Sequence, residues 1–230
     1  MILGTICCRG GSKGVLGKNT RLLNGMPLLT YTINAAQQSK YLNDLIVSSD
    51  SQEILDISKN NGVAITFVRP DDLSTDTASK WPVFIHAIEK YEKLTGKTVR
   101  YIVDMDVTVP LKTTQDIDNA IVLALQSPEI DVVITGYEPE RNPYFNMMEI
   151  NNSGFAEMVK KTETPIVRRQ DAPKVFSLTP AAYVIKKEAL YQYQHWSEAK
   201  CMISEMPRER AIDIDTELDF KLIEFLLNDK

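Results

Sequence analysis

The chain has 230 residues, 43% of them hydrophobic and 25% charged, the balance of an ordinary globular domain long enough to bury a core without disulfides. A formal net charge of −5 argues against a general nucleic-acid binder, which needs a basic face for the phosphate backbone. Cys7, Cys8 and Cys201 offer neither a disulfide framework nor a zinc spacing. No apolar run approaches a membrane span, and Met1 leads straight into a strand-like run without a basic leader. A reduced, cytoplasmic protein with no membrane partner is expected.

In chain order, residues 2–8 read as a strand, and residues 27–39 as a helix with Pro27 in its first turn. A strand at 45–48 precedes a helix to about residue 60, for which Asp50 and Glu53 have capping-box spacing. Strands are expected at 63–68, 100–105 and 131–136, and helices at 80–94 and from Thr113 to about 126. This β-α-β-α rhythm predicts a mostly parallel sheet covered by helices. It breaks after Tyr137, where residues 138–178 are rich in Pro, Asn and charge and read as an inserted arm of hairpins. Strands at 181–186 and 200–204, a short helix at 187–194 and a final helix at 216–228 complete the pattern.

The most informative segment is Arg9-Gly10-Gly11-Ser12-Lys13-Gly14-Val15-Leu16-Gly17-Lys18-Asn19, directly after the first strand. Its four glycines let backbone approach a ligand closely, and Arg9, Lys13 and Lys18 add positive charge, a combination suited to a triphosphate. It is neither a Walker A loop nor Gly-x-Gly-x-x-Gly. Near the other end, Asp213-Ile214-Asp215 places two carboxylates on one side of an extended segment. They could share a Mg²⁺ ion with substrate phosphate or cap the last helix. Arg168-Arg169-Gln170-Asp171 offers forked donors for a carboxylate or phosphate. Asp104-Met105-Asp106 spells the Asp-x-Asp of metal-dependent glycosyltransferases, so such an enzyme and a non-catalytic nucleotide-binding module stay open as alternatives.

The loop at 9–19 resembles the signature loop of the acylneuraminate cytidylyltransferases (CMP-sialic acid synthetases), as do Leu23 to Ala36, Arg168 to Pro173 and Ile212 to Thr216. The resemblance implies a three-layer α/β/α nucleotidyltransferase fold from residues 1–137 and 179–230, with the arm at 138–178 exchanged between subunits of a homodimer. It also implies a reaction of CTP with a sialic-acid-like nonulosonic acid. Arg9, Gly10, Gly11, Ser12, Lys13, Lys18 and Asn19 are then expected to hold the nucleotide, with Arg9, Lys13, Lys18 and Asp215 catalytic and Asp213 and Asp215 on Mg²⁺. Asp106, Thr108, Arg168, Arg169 and Gln170 are expected to meet the sugar acid. The chain departs from the family pattern at Asp106, where the pattern has Gln, and at Thr179-Pro180-Ala181, where it has Asn-Gly-Ala. Asp106 would repel a carboxylate unless it faces a hydroxyl, an amine or the metal, which turns the expectation from N-acetylneuraminate toward legionaminic or pseudaminic acid.

Overall fold

The computed structural model describes residues 1–11, 14–75 and 77–228. β-Branched runs at period two build a seven-stranded sheet from β1 (Ile2–Cys7), β4 (Asp44–Ser49), β5 (Ile65–Val68), β6 (Tyr101–Asp104), β7 (Val132–Tyr137), β10 (Ser177–Lys186) and β11 (Cys201–Glu205), in the order β11-β7-β10-β6-β1-β4-β5. β10 runs antiparallel to both its neighbours, and the other pairings are parallel. Two hairpins lie outside the sheet, β2 (Leu22–Leu23) with β3 (Met26–Pro27), and β8 (Met148–Ile150) with β9 (Ala156–Met158).

Alternation along the strands sends side chains to two faces. Ile6, Val47, Val103 and Val133 face α1 (Leu28–Gln37), α2 (Gln52–Asn60), α4 (Thr114–Gln126) and α6 (Glu217–Asn228), while Leu3, Ile46, Ile102 and Ile134 face α3 (Lys80–Thr95) and α5 (Lys187–Gln192). The result is the expected α/β/α sandwich. β1 adjoins β4 on one side and β6 on the other, so connections leave it in opposite directions. Sheets of this kind bind ligands at such a switch point, beyond the carboxyl ends of the strands.

Most elements fall where the sequence pattern puts them, and the departures have local causes. The cap of α2 is Ser51, whose hydroxyl accepts from Ile54 N–H. The Asp50 carboxylate instead accepts from the Gly10 N–H at 2.8 Å. β10 starts at Ser177, four residues before the expected strand, because Pro180 falls in a register shift between Leu178 and Tyr183 that interrupts the apolar pattern. A proline is tolerated there because the ladder is already broken, and its carbonyl accepts from Asp106 N–H at 3.0 Å. The arm consists of the β8–β9 hairpin and a 3-10 turn at Arg169–Asp171. No helix among the described residues is long and apolar enough to cross a membrane.

The carboxyl-terminal acidic segment is seated by one core side chain. Ile214, wholly buried, packs with Val15, Leu23, Val107 and Phe220. Ile214→Ala is expected to destabilise the fold by about 2–5 kcal/mol, read as a lower urea midpoint at unchanged slope.

Candidate functional site

At the switch point lies a cleft of about 280 Å³, lined in part by Cys7, Arg9, Gly11, Lys18, Asn19, Arg69, Lys80, Asp106 and Thr108. The loop after β1 forms one wall. Gly17 takes φ +60°, which a side chain disfavours, and this turn points Lys18 inward. Gly14 passes so close to the acidic segment that an added Cβ would stand 2.1 Å from the Asp215 carbonyl oxygen. Lys18, only 9% exposed, donates to the Ile214 carbonyl oxygen and stands 3.9 Å from Asp215 Oδ1. Asn19 ties the loop together by donating to the Arg9 carbonyl at 2.8 Å.

The structure therefore brings Arg9, Gly10, Gly11, Lys18 and Asn19 together with Asp106, Thr108, Asp213 and Asp215. Ser12 and Lys13 lie outside the described residues. Arg168, Arg169 and Gln170 are exposed on the arm and line no part of this cleft. There Arg168 makes a two-pronged ion pair with Asp171, at 2.8 and 3.1 Å.

Two sets of carboxylates lie around these residues, of which Asp106 lines the cleft itself. Asp104, at the end of β6 and 1% exposed, accepts from Thr5 Oγ1 at 2.9 Å, and its second oxygen has no hydrogen-bond partner among the described residues. Lys80 Nζ stands 3.8 Å from that oxygen and 2.5 Å from Asp106 Oδ2. Burial alone would raise the Asp106 carboxyl, but Lys80 and the Thr108 N–H hold it down at about 2. The second set is Asp213 and Asp215. Burial raises the Asp213 carboxyl, as do its neighbours Asp106 and Asp215, and its Oδ1 is buried with no hydrogen-bond partner among the described residues. The Asp215 side chain is 78% exposed. An orphaned hard oxygen beside an open carboxylate fits Mg²⁺, which takes one or two carboxylates and completes its shell with phosphate and water. Among the described residues, no cluster of three or more His, Cys, Asp or Glu side chains could hold a metal ion.

Three cations here escape the motif reading. Arg69 follows β5 as Arg9 follows β1, and its position just past a strand's carboxyl end was its sequence signal. Lys80 opens α3, where the helix dipole disfavours positive charge; that local conflict marks it, and Asp104 and Asp106 resolve it. Lys112, 4% exposed, lies under the acids and donates to Thr32 Oγ1, Asp106 O and Val109 O at 2.8, 2.6 and 2.9 Å. Lys80 also borders a second cavity of about 260 Å³ lined by Ser79, Trp81, Phe84, Tyr183, His195 and Trp196.

The fold and this cleft define a nucleotidyltransferase-type α/β protein. The sequence matches the cytidylyltransferase family profile over residues 3–228, and the chain belongs to that family. It is 35% identical to post-translational flagellin modification protein B of Campylobacter coli, over 100% of this chain and 96% of the relative. It is also 35% identical to CMP-N,N'-diacetyllegionaminic acid synthase of Campylobacter jejuni, over 99% and 95% of the two chains. N-acylneuraminate cytidylyltransferase of Streptococcus agalactiae is 28% identical over 94% of this chain but only 50% of its own length. A solved CMP:2-keto-3-deoxy-manno-octonic acid synthetase complexed with CTP shares the fold at TM-score 0.73 and 12% identity, covering 99% of this chain and 98% of the other.

The Lys80 ion pair has a definite pH signature. Because the folded Asp106 value lies below its ordinary 3.8, the pair's contribution is full above about pH 4 and is lost as pH falls through about 2. Lys80→Met is expected to lower the urea midpoint clearly at pH 7, with a narrower gap from the parent at pH 3.

Proposed function

We propose that this cytidylyltransferase condenses CTP with a nonulosonic acid, giving the CMP-sugar and pyrophosphate in a Mg²⁺-dependent reaction. The observation that carries the reading is the contact of Lys18 with the Asp213–Asp215 segment, which brings the cationic loop lining the cleft against a segment that carries two carboxylates. Arg9, Gly10, Gly11, Ser12, Lys13, Lys18 and Asn19 would hold the triphosphate. Fixed cations and N–H groups there stabilise charge as pyrophosphate departs, without reorganisation. Asp213 and Asp215 would hold Mg²⁺, which supplies Lewis-acid stabilisation at phosphate oxygens and eases loss of a hydroxyl proton. Lys18 then serves twice, as a phosphate ligand and as the tether of the acidic segment.

The sugar acid is proposed to lie between Asp106 and the aromatic cavity. Asp106, kept ionised by Lys80, is an acceptor for hydroxyl or amide N–H groups, and Thr108 shares its Oδ1. The cavity walls are aromatic, with the Lys80 ammonium at the rim. Acylamido groups suit that chemistry, with the methyl against rings and the carbonyl toward the ammonium. The names of the 35%-identical relatives point the same way, toward a legionaminic-type acid. Asp104-Met105-Asp106 does not favour a glycosyltransferase reading, since Lys80 occupies the cation position between its carboxylates.

Arg168, Arg169 and Gln170 are assigned to the sugar carboxylate of a partner subunit's site in a homodimer. Supporting this, they lie away from their own cleft, and the arm exposes Met148, Ile150, Phe155 and Val167.

Pyrophosphate release from CTP is expected only when a nonulosonic acid and Mg²⁺ are both supplied. Release that ignores the sugar acid would overturn the assignment. Lys18→Met should lower kcat by about 10²–10³-fold, measured in the same assay. Asp213→Asn combined with Asp215→Asn should remove the Mg²⁺-dependent rate while circular dichroism stays that of the parent; a fully active double variant returns the pair to helix capping.

A further inference from the structure

The acidic segment has no regular secondary structure between its 3-10 turn at Arg208–Arg210 and α6. Carboxylates that share a metal must nevertheless be held to a fraction of an ångström. Lys18 and Ile214 secure the segment at one point, Thr179 Oγ1 donates to the Ala211 carbonyl at 3.1 Å and Asp219 accepts from the Asp215 N–H at 3.1 Å, which leaves the question of what ties it to the loop bearing Asp106 and Thr108.

The answer lies on the far side from the cleft. Arg210 donates through Nε to Asp116 Oδ2 at 2.9 Å and through NH2 to Asp116 Oδ1 at 2.7 Å, the forked arrangement that Arg alone can make. Asp116 is 3% exposed and Arg210 29%, so solvent screens the pair far less than a surface contact. The same carboxylate closes the capping box of α4, accepting from Thr113 N–H and Oγ1–H at 2.8 and 2.7 Å. Thr113 ends the loop that begins at Asp106. A second tie joins the same two segments, from Ile214 N–H to the Thr108 carbonyl at 2.9 Å. Arg210 thus locks the loop bearing Asp106 and Thr108 to the segment bearing Asp213 and Asp215, and touches neither cleft nor ligand.

We infer that Arg210 is a positioning residue for the divalent-cation site, acting through Asp116 to set the spacing of the cleft's two acidic segments. This rests on the proposed role of Asp213 and Asp215. Lysine would keep the charge but lose the fork, and alanine would leave the buried Asp116 with its cap donors only.

The test is direct Mn²⁺ binding to the full-length protein, followed by electron paramagnetic resonance without turnover. Compared are the parent, Arg210→Ala, Arg210→Lys and a neighbouring control, Arg208→Ala, whose partner is the exposed Glu140. Expected are Mn²⁺ binding at least tenfold weaker in Arg210→Ala, three- to tenfold weaker in Arg210→Lys, and within twofold of the parent in Arg208→Ala. The CTP affinity measured without metal should change less than threefold in each. Parent-like Mn²⁺ affinity in Arg210→Lys and Arg210→Ala would overturn the inference, as would equal weakening in Arg208→Ala. If Arg210→Ala does not fold, Arg210→Lys decides alone. No Mn²⁺ binding by the parent would instead overturn the metal role of Asp213 and Asp215, and this inference with it.

Discussion

The site depends on one contact between opposite ends of the chain, the Lys18 ammonium on the Ile214 carbonyl oxygen. A backbone carbonyl is an acceptor that substitution of the surrounding side chains does not remove. The contact places a cation beside Asp215 without neutralising it in a tight ion pair, since the two stand 3.9 Å apart. Gly14 makes the approach sterically possible, and Ile214 fills the core beneath. The cationic loop and the acidic segment are thereby built as one unit, although 196 residues separate the two partners.

Around that contact the protein packs carboxylates that ought to repel one another. It treats its two acidic sets differently. Asp104 and Asp106 carry a resident ammonium from Lys80, so their charge is complemented within the fold. Asp215 has Lys18 only at 3.9 Å and is 78% exposed, and a buried oxygen of Asp213 has no hydrogen-bond partner among the described residues. A buried unpaired carboxylate oxygen is costly. Asp104 has such an oxygen too, but the Lys80 ammonium stands near it, whereas Asp213 lies beside an open carboxylate; folds keep such costs where a ligand later offsets them, and the second set is the one that suits a bound cation.

The layers of the fold were legible because periodicity reports burial directly. β1, α3, α4 and α6 stand within a residue or two of their expected limits. The phosphate loop and the Asp213–Asp215 pair were legible because their chemistry is local in sequence, glycines among cations and acids two residues apart. Interactions between distant segments were not. Asp50 looked like a helix cap because its spacing to Glu53 allowed it, and only the fold brings Gly10 near enough to claim its carboxylate. Pro180 stood out only as a departure from the family pattern, and in the fold it falls in a register shift where its carbonyl holds Asp106. Arg210 has its partner 94 residues away in the chain, and Lys112 joins two local carbonyls to Thr32, 80 residues away.

Lys112 shows how far the electrostatic logic extends below the cleft. Burial pulls its ammonium down to about 7, while Asp106, Asp213 and Asp104 pull it up. Its three hydrogen bonds go to oxygens of Thr32, Asp106 and Val109, and three donors to three acceptors is the arrangement of a charged ammonium. A buried lysine so satisfied tethers the Asp106 backbone from beneath while Pro180 holds it from the side. The Asp106 carboxylate, proposed to meet the sugar acid, is therefore fixed through its main chain, and its side chain needs no rigid partner beyond Lys80 and Thr108. Lys18, Lys80 and Lys112 thus perform one task at three depths. Each places a cation against an oxygen of an acidic segment, Lys18 and Lys112 on main-chain carbonyls and Lys80 on the Asp106 carboxylate.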